Sequence, residues 1–372
     1  MKRITVLITV VILFACLTLS CGAEDYFEKY KGFYDESGLE EFCRKFPEID
    51  EIYKKLGIDP SSPSSYGELT VKNIFEFIAD IFKNGLKKPI VAFISILAAS
   101  MLTSVAESVS VGEKMKKPIE IISVAAASVF ILPSVFGVIL SSVKAVKTGA
   151  AFMAGFIPLF AGVVLASGKP LTSSLASGTM LVAAQITEQL CAYIVMPLTC
   201  VFLALGIAGC FGRKNVLSPS SAVKKAISFI MTASTVLFSG VLSVQSMIGT
   251  SSDSIGLRTA KLVAGSTPII GGAVSEATGI LGWCLSSLSK SAAVAGVIGC
   301  AAILLPILIE LCVWRISVYF AKTSCEMFGC EKLSTVTDSS LQVLGILFSV
   351  ILNSFVLFTV SFTIVCMTGG II

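Results

Sequence analysis

Seven apolar segments follow one another from residue 89 to the C-terminus, and each is long enough to cross a bilayer as a helix. They cover residues 89–109, 121–143, 149–166, 189–211, 226–249, 291–314 and 341–367. A spanning helix needs about 20 such residues. Only 14% of the chain is charged, whereas a soluble domain carries about 25%. The sequence therefore predicts an all-α, polytopic membrane bundle that makes up a domain of residues 89–372.

The number of crossings follows less directly from the sequence. A weaker segment at residues 175–187 is too short to span alone, and it is either re-entrant or an extension of the next span. Lys and Arg concentrate in cytoplasmic loops. Alternation from an external head places Lys114 inside but places the basic loop at Arg213 outside. Either residues 175–187 complete an extra crossing or one segment between 121 and 166 does not cross, and we expect six to eight spans.

The first 23 residues have the order of a secretory signal. Lys2 and Arg3 precede an apolar run, and small residues follow it up to Ala23. That order predicts an export signal over residues 1–23, cleaved after Ala23. Lipidation at Cys21 and an uncleaved anchor are the alternatives. A cleaved signal places the residues that follow outside the cell.

Residues 24–88 differ from the rest of the chain because they are acidic and rich in aromatic side chains. We interpret these residues as a small helical head on the extracytoplasmic side of the membrane. Within it, apolar residues recur at helical spacing over residues 69–86, with charged residues on the opposite face. Such a helix either lies on the membrane surface or docks a partner.

The stretch of residues 250–290 is too polar for a simple span and too apolar for an ordinary loop. A proline followed by two glycines indicates a break between two helices, as in a hairpin. The hairpin either seals the bundle or lines a pore or contacts a partner, because irregular backbone at membrane depth must be buried in protein or line a cavity. The candidate contact residues are Arg258, Lys261, Pro268, Gly271, Gly272 and Glu276.

Two carboxylates in or beside the apolar segments are further candidates for a functional role. Glu310 lies one turn before the end of its segment, and Glu188 lies at the start of another. A carboxylate within a bilayer is costly, so it usually faces protein or water. Arg315, five residues after Glu310, is placed to neutralise it in part by snorkelling.

Several residue types and motifs are missing from the sequence. The chain has no histidine, which argues against histidine-based catalysis and histidine-ligated metals. No phosphate-binding G-x-x-x-x-G-K-[ST] loop is present, and a net charge of +4 is too small for a nucleic-acid footprint. We expect no enzymatic activity, no cofactor, no metal and no nucleic-acid partner.

The order of these features resembles the stage III sporulation protein AE family of endospore-forming Firmicutes. The resemblance lies above all in Leu257-Arg258-Thr259-Ala260-Lys261, Pro268-Ile269-Ile270-Gly271-Gly272 and Ser275-Glu276-Ala277. It implies a membrane subunit of a transenvelope channel or secretion-like complex between mother cell and forespore, needed for late forespore development. It also implies a multi-pass location in the mother-cell membrane around the forespore. The implied partners are other membrane subunits, a separate ATPase and ring-forming proteins.

The alternative function is a stand-alone secondary transporter or permease coupled to an ion gradient. In that case Glu310 and Glu188 would couple the ion to the solute. Paired broken helices in two inverted halves would support a transporter, but the sequence shows no convincing repeat between its halves.

Overall fold

The computed structural model describes Glu76 and residues 79–83, 85–109, 113–166, 170–210, 217–265 and 271–369. It describes most of their side chains, but not those of residues 113–117, 217–220, 249–294 and 363–369 or of some single positions elsewhere. The predicted export signal at 1–23 and nearly all of the predicted head therefore lie outside the described residues. The part described is helical, and it contains no strand.

Seven α-helices and one short π-helix make up the described chain. The α-helices are α1 Lys87–Val109, α2 Glu113–Ala166, α3 Pro170–Gln189, α4 Met196–Cys210, α5 Leu217–Gly265, α6 Gly271–Met327 and α7 Glu331–Gly369. A π-helix at Leu190–Val195 joins α3 to α4 without a turn. Within the described ranges, six helical stretches are long and apolar enough to cross a membrane. The predicted all-α bundle of six to eight spans is confirmed, with six.

The count falls to six because two pairs of predicted segments merge into continuous helices. Residues 121–143 and 149–166 both belong to α2. Lys144 and Lys147 end the first apolar run, but neither residue stops a helix, since lysine is a good helix former. Residues 175–187 and 189–211 likewise join through the π-helix. The weaker segment is therefore an extension of the span after it.

Six alternating crossings remove the conflict over orientation that the sequence presented. The Cys330 thiol donates to the Ser100 carbonyl oxygen at 3.5 Å, so the second half of α1 lies beside the start of α7. Gly206, near the end of α4, packs against Ser339 of α7. The ends of α1, α4 and α6 thus point the same way. The basic loops that follow α1 and α4 then share one side, as the positive-inside rule requires.

The α6–α7 hairpin forms the centre of the bundle. In each of these two helices 72% of the most apolar stretch is buried, against 19–35% in the other four candidate spans. Gly329 closes the hairpin at φ 73°, a left-handed conformation that favours glycine. The Cys330 N–H donates to the Cys325 carbonyl at 2.9 Å and the Gly329 N–H to Glu326 at 3.2 Å. These two bonds make a Schellman cap.

Glycines of α6 let α2 and α7 approach it closely. A Cβ atom on Gly296 would lie 2.8 Å from the rings of Phe156 and Phe362, and one on Gly299 would clash with the ring of Phe152. Phe156 and Phe362 also meet edge to face, with centroids 5.4 Å apart. Helices in lipid associate through such close packing, because apolar burial gives them no driving force there.

We expect Gly299→Ala to destabilise the bundle by about 1–3 kcal/mol, since overpacking a tight contact costs this much. The added methyl group meets the Phe152 ring, which is fully buried. Thermal unfolding of the detergent-purified protein measures the loss. Gly178→Ala is the matched control, because a Cβ atom there meets nothing within 4 Å. Equal melting temperatures for the two variants would contradict the packing described.

Candidate functional site

A cavity of about 570 Å³ lies between α1, α2 and α6. This volume is within the range of ligand pockets, about 300–1,000 Å³. Its wall carries charged and hydroxyl groups beside apolar ones. The polar lining residues are Lys87, Lys88, Ser95, Ser134, Ser141, Glu310 and Trp314. A polar space of this size among apolar helices makes it the main candidate for a functional site.

Small side chains on two helices create the space. Ala92 and Ser95 face it from α1, and Gly137 and Ser141 face it from α2. A Cβ atom on Gly137 would meet nothing within 4 Å. Farther along α2 the positions facing α6 carry phenylalanine rings, which fill the gap between the helices. The cavity therefore lies where α2 changes from large to small residues.

Glu310 is the sequence-predicted residue that the structure places in this cavity. It is half-buried, and it forms no hydrogen bond or ion pair with the described residues. Arg315 contacts another helix, with its guanidinium carbon 5.7 Å from the centroid of the Phe348 ring in α7. Five residues rotate a helix by about 140°, so the two side chains leave α6 on different faces.

Trp314 is a lining residue that the sequence analysis missed. Its side chain is 3% exposed, and among the described residues its Nε1 has no hydrogen-bond acceptor. A buried donor without an acceptor costs about 1–3 kcal/mol. A tryptophan in an apolar segment is normally interpreted as a core residue. Trp314 follows Glu310 by four residues, however, so the two lie on one face of α6. That spacing is the sequence feature that could have identified Trp314 as a lining residue.

The other predicted residues are not brought to the cavity by the part of the chain described. Glu188 is half-buried near the end of α3, and it is not a lining residue. The side chains of Arg258, Lys261 and Glu276 lie outside the described part of the structure, and so does the whole of Pro268, whereas Gly271 and Gly272 are described by their helical backbone alone. The backbone shows that α5 ends at Gly265 and that α6 begins at Gly271. These candidates remain predictions.

A polar network joins α6 to α7 near their turn. The Lys322 ammonium lies 2.7 Å from Asp338 Oδ1 and 3.7 Å from Glu326 Oε1. Gln342 Nε2 donates to Asp338 Oδ2 at 2.7 Å. The Lys322 and Asp338 side chains are 27% and 35% exposed, so the pair is partly shielded from water. The network fixes the register of the central hairpin.

A second polar contact fixes α5 against α7. Asn353 Nδ2 donates to the Met231 carbonyl oxygen at 2.8 Å. Both residues line a small cavity of about 90 Å³, together with Lys224 at its end. Hydrogen bonds between helices in lipid stabilise by about 0.6 kcal/mol on average. This contact serves packing, and its cavity is much smaller than the one at Glu310.

The fold and its cavity define a polytopic α-helical membrane protein whose helices enclose a charged, partly open space. A family model described as Stage III sporulation protein AE matches residues 63–369. The chain therefore belongs to the stage III sporulation protein AE family, and the resemblance found in the sequence is confirmed. No curated protein and no solved structure matches the chain.

We expect Asp338→Leu to lower the free energy of unfolding by about 1–2 kcal/mol, between the values for exposed and buried pairs. The substitution leaves Lys322 without its nearest partner and removes the acceptor of Gln342. Thermal unfolding in detergent measures the change, with Lys225→Met as the control for an exposed lysine.

The double variant Lys322→Met/Asp338→Leu should recover part of the loss. A double variant as unstable as the sum of its single changes would refute the coupling.

Proposed function

We propose that this protein is a non-enzymatic membrane subunit of a sporulation channel or secretion-like complex that links mother cell and forespore. Its place is the mother-cell membrane around the forespore, where late forespore development depends on it. Membership of the stage III sporulation protein AE family supports the assignment. The channel role, the location and the partners are part of this proposal.

The length of α2 is the structural observation that carries the proposal. Its apolar stretch, Ile121–Gly162, is 42 residues long, which is about 63 Å of helix. The hydrocarbon core of a bilayer is about 30 Å thick. Fitting the whole stretch into that core requires a tilt of about 60°, beyond the 0–40° range of membrane helices. A straight helix of this length therefore extends beyond the hydrocarbon core.

Two lysines divide that apolar stretch near its middle. Lys144 and Lys147 are both exposed, and a charged side chain avoids the hydrocarbon core. Before the lysines, Val129, Phe136 and Leu140 are exposed at 68%, 46% and 47%. After them, Leu165 at 54% is the only large apolar residue of α2 that is exposed among its described side chains. The half before the lysines therefore presents the wider apolar surface, which suits lipid, and in this proposal a partner subunit covers the far end at Leu165.

The energy source of such a complex is a separate protein in this proposal. The chain has no G-x-x-x-x-G-K-[ST] loop, which is one common way to bind nucleotide phosphates. The partners proposed are a separate ATPase, ring-forming proteins and other membrane subunits of the same complex. The surface that meets them is the half of α2 that lies outside the bilayer.

Deletion of the gene in an endospore-forming host tests the function. We expect heat-resistant spores to fall by orders of magnitude and a late forespore reporter to stay low, with both restored by the wild-type gene. Normal spore counts, in a host without a second copy of the gene, would overturn the proposal. Solute uptake by the purified protein in liposomes under an ion gradient would favour the transporter instead.

A pair of charged substitutions on α2 tests the division between lipid and protein. Val129→Arg and Leu165→Arg each place a charge on an exposed apolar position, one in each half. We expect the variant in the lipid-facing half to accumulate poorly, because a mid-bilayer arginine costs about 2.5–3.5 kcal/mol.

The other variant should accumulate normally but should co-purify with less of the remaining complex. Membrane protein levels and affinity purification from sporulating cells separate the two effects. Poor accumulation of both variants would mean that lipid covers both halves. Normal behaviour of both would mean that neither surface is used.

A further inference from the structure

The cavity at Glu310 is partly open, and apolar side chains of α1 and α2 beside its lining are exposed. Val91 of its lining is 64% exposed. Adjacent in the chain to lining residues, Ile94 of α1 and Phe136 and Leu140 of α2 are exposed at 55%, 46% and 47% and form an apolar rim. A ligand that uses both the polar interior and this rim must itself be amphiphilic.

The lining of the cavity carries charges of both signs, with Lys87 and Lys88 exposed and Glu310 half-buried. Ser317 Oγ donates to the Pro89 carbonyl oxygen at 2.6 Å, so the two lysines at the start of α1 lie near the level of Ser317. Glu310 is seven residues earlier in α6, about 10 Å away along the axis. The carboxylate therefore lies at one end of the lining, and the lysines lie about two helical turns away from it.

The buried indole of Trp314 lies between these ends in the sequence of α6. Its N–H has no acceptor among the described residues, although the side chain is only 3% exposed. The Nε1 atom itself is closed off from the cavity, so the indole forms part of the wall and leaves the binding of an anion to the lysines. An anionic oxygen in the cavity would be attracted to the ammonium groups of Lys87 and Lys88.

We propose that this cavity binds the headgroup of phosphatidylethanolamine from the surrounding bilayer. Its primary ammonium group would pair with Glu310, and its phosphate would pair with Lys87 and Lys88. Its acyl chains would lie along the apolar rim. Lysines at the end of an apolar helix lie at the level of the lipid headgroups, which places the site where such a lipid is available.

Glu310 selects this headgroup over the other common ones. Phosphatidylglycerol offers its phosphate to the lysines, but it carries no cation and leaves the carboxylate unpaired. Phosphatidylcholine carries a cation without an N–H, so it cannot donate a hydrogen bond to Glu310. A primary ammonium has three donors, like that of lysine. The inference concerns a lipid site and does not depend on the proposed channel function.

Fluorescence of the full-length protein tests the proposal directly. The chain has two tryptophans, Trp283 and Trp314, so Trp283→Phe leaves Trp314 as the only indole reporter. The detergent-purified protein is titrated with phosphatidylethanolamine, phosphatidylglycerol and phosphatidylcholine of identical acyl chains. We expect the ethanolamine lipid to shift the emission at about tenfold lower concentration, the effect of one charge-assisted hydrogen bond.

Variants of the two carboxylates decide which group gives the preference. Glu310→Gln should bind the three lipids equally, whereas Glu188→Gln, which changes a carboxylate outside the cavity, should keep the preference. Glu310→Asp retains a carboxylate and should keep most of the preference for the ethanolamine lipid. This variant can therefore be tested if Glu310→Gln does not fold. Equal binding of the three lipids by the parent protein, or an unchanged preference in Glu310→Gln, would overturn the proposal.

Soluble glycerophosphoethanolamine distinguishes a lipid from a free headgroup. It has the same two charges without acyl chains, so we expect it to compete only at concentrations at least tenfold higher. Competition at equal concentration would mean that the apolar rim contributes nothing. The occupant would then be a soluble phosphoethanolamine, and the assignment to a lipid would be wrong.

Discussion

The close approach of α2, α6 and α7 is the constraint on which the rest of the bundle depends. In lipid, helices gain little from burying apolar surface against each other, so the gain comes from tight packing. Gly296 and Gly299 allow the rings of Phe152, Phe156 and Phe362 to lie directly on the backbone of α6. The α6–α7 hairpin becomes the buried centre for this reason, and the other helices pack around it.

The cavity lies where this close packing of α2 against α6 ends. Along α2, the positions facing α6 change from phenylalanine to proline, serine and glycine, and no large side chain of α1 fills the gap. Glu310 and Trp314 face this gap from α6. A half-buried carboxylate is tolerated here because the space is open to polar groups. This change in side-chain size along α2 thus separates the closely packed, apolar part of the bundle from the part that holds polar groups.

The length of α2 relative to a bilayer bears on whether the protein acts alone or as a subunit. Membership of a stage III sporulation family and an apolar helix about twice as long as a bilayer core are independent observations. Both favour a subunit that is covered partly by lipid and partly by other proteins. In the function proposed above, the exposed lysines near the middle of α2 lie between these two environments.

The sequence by itself determined the class of protein, the all-α fold and the family. It also showed that burying the Glu310 carboxylate in a bilayer costs free energy. These properties follow from hydropathy and charge, which can be evaluated segment by segment along the chain. It did not determine the number of spans. Lys144 and Lys147 interrupt an apolar run, yet backbone hydrogen bonds continue through them. Nor did it determine that the Trp314 N–H has no acceptor among the described residues, or that α1 begins near Ser317. Those facts depend on which helices meet and at what height, and only the packing of glycine against phenylalanine decided that.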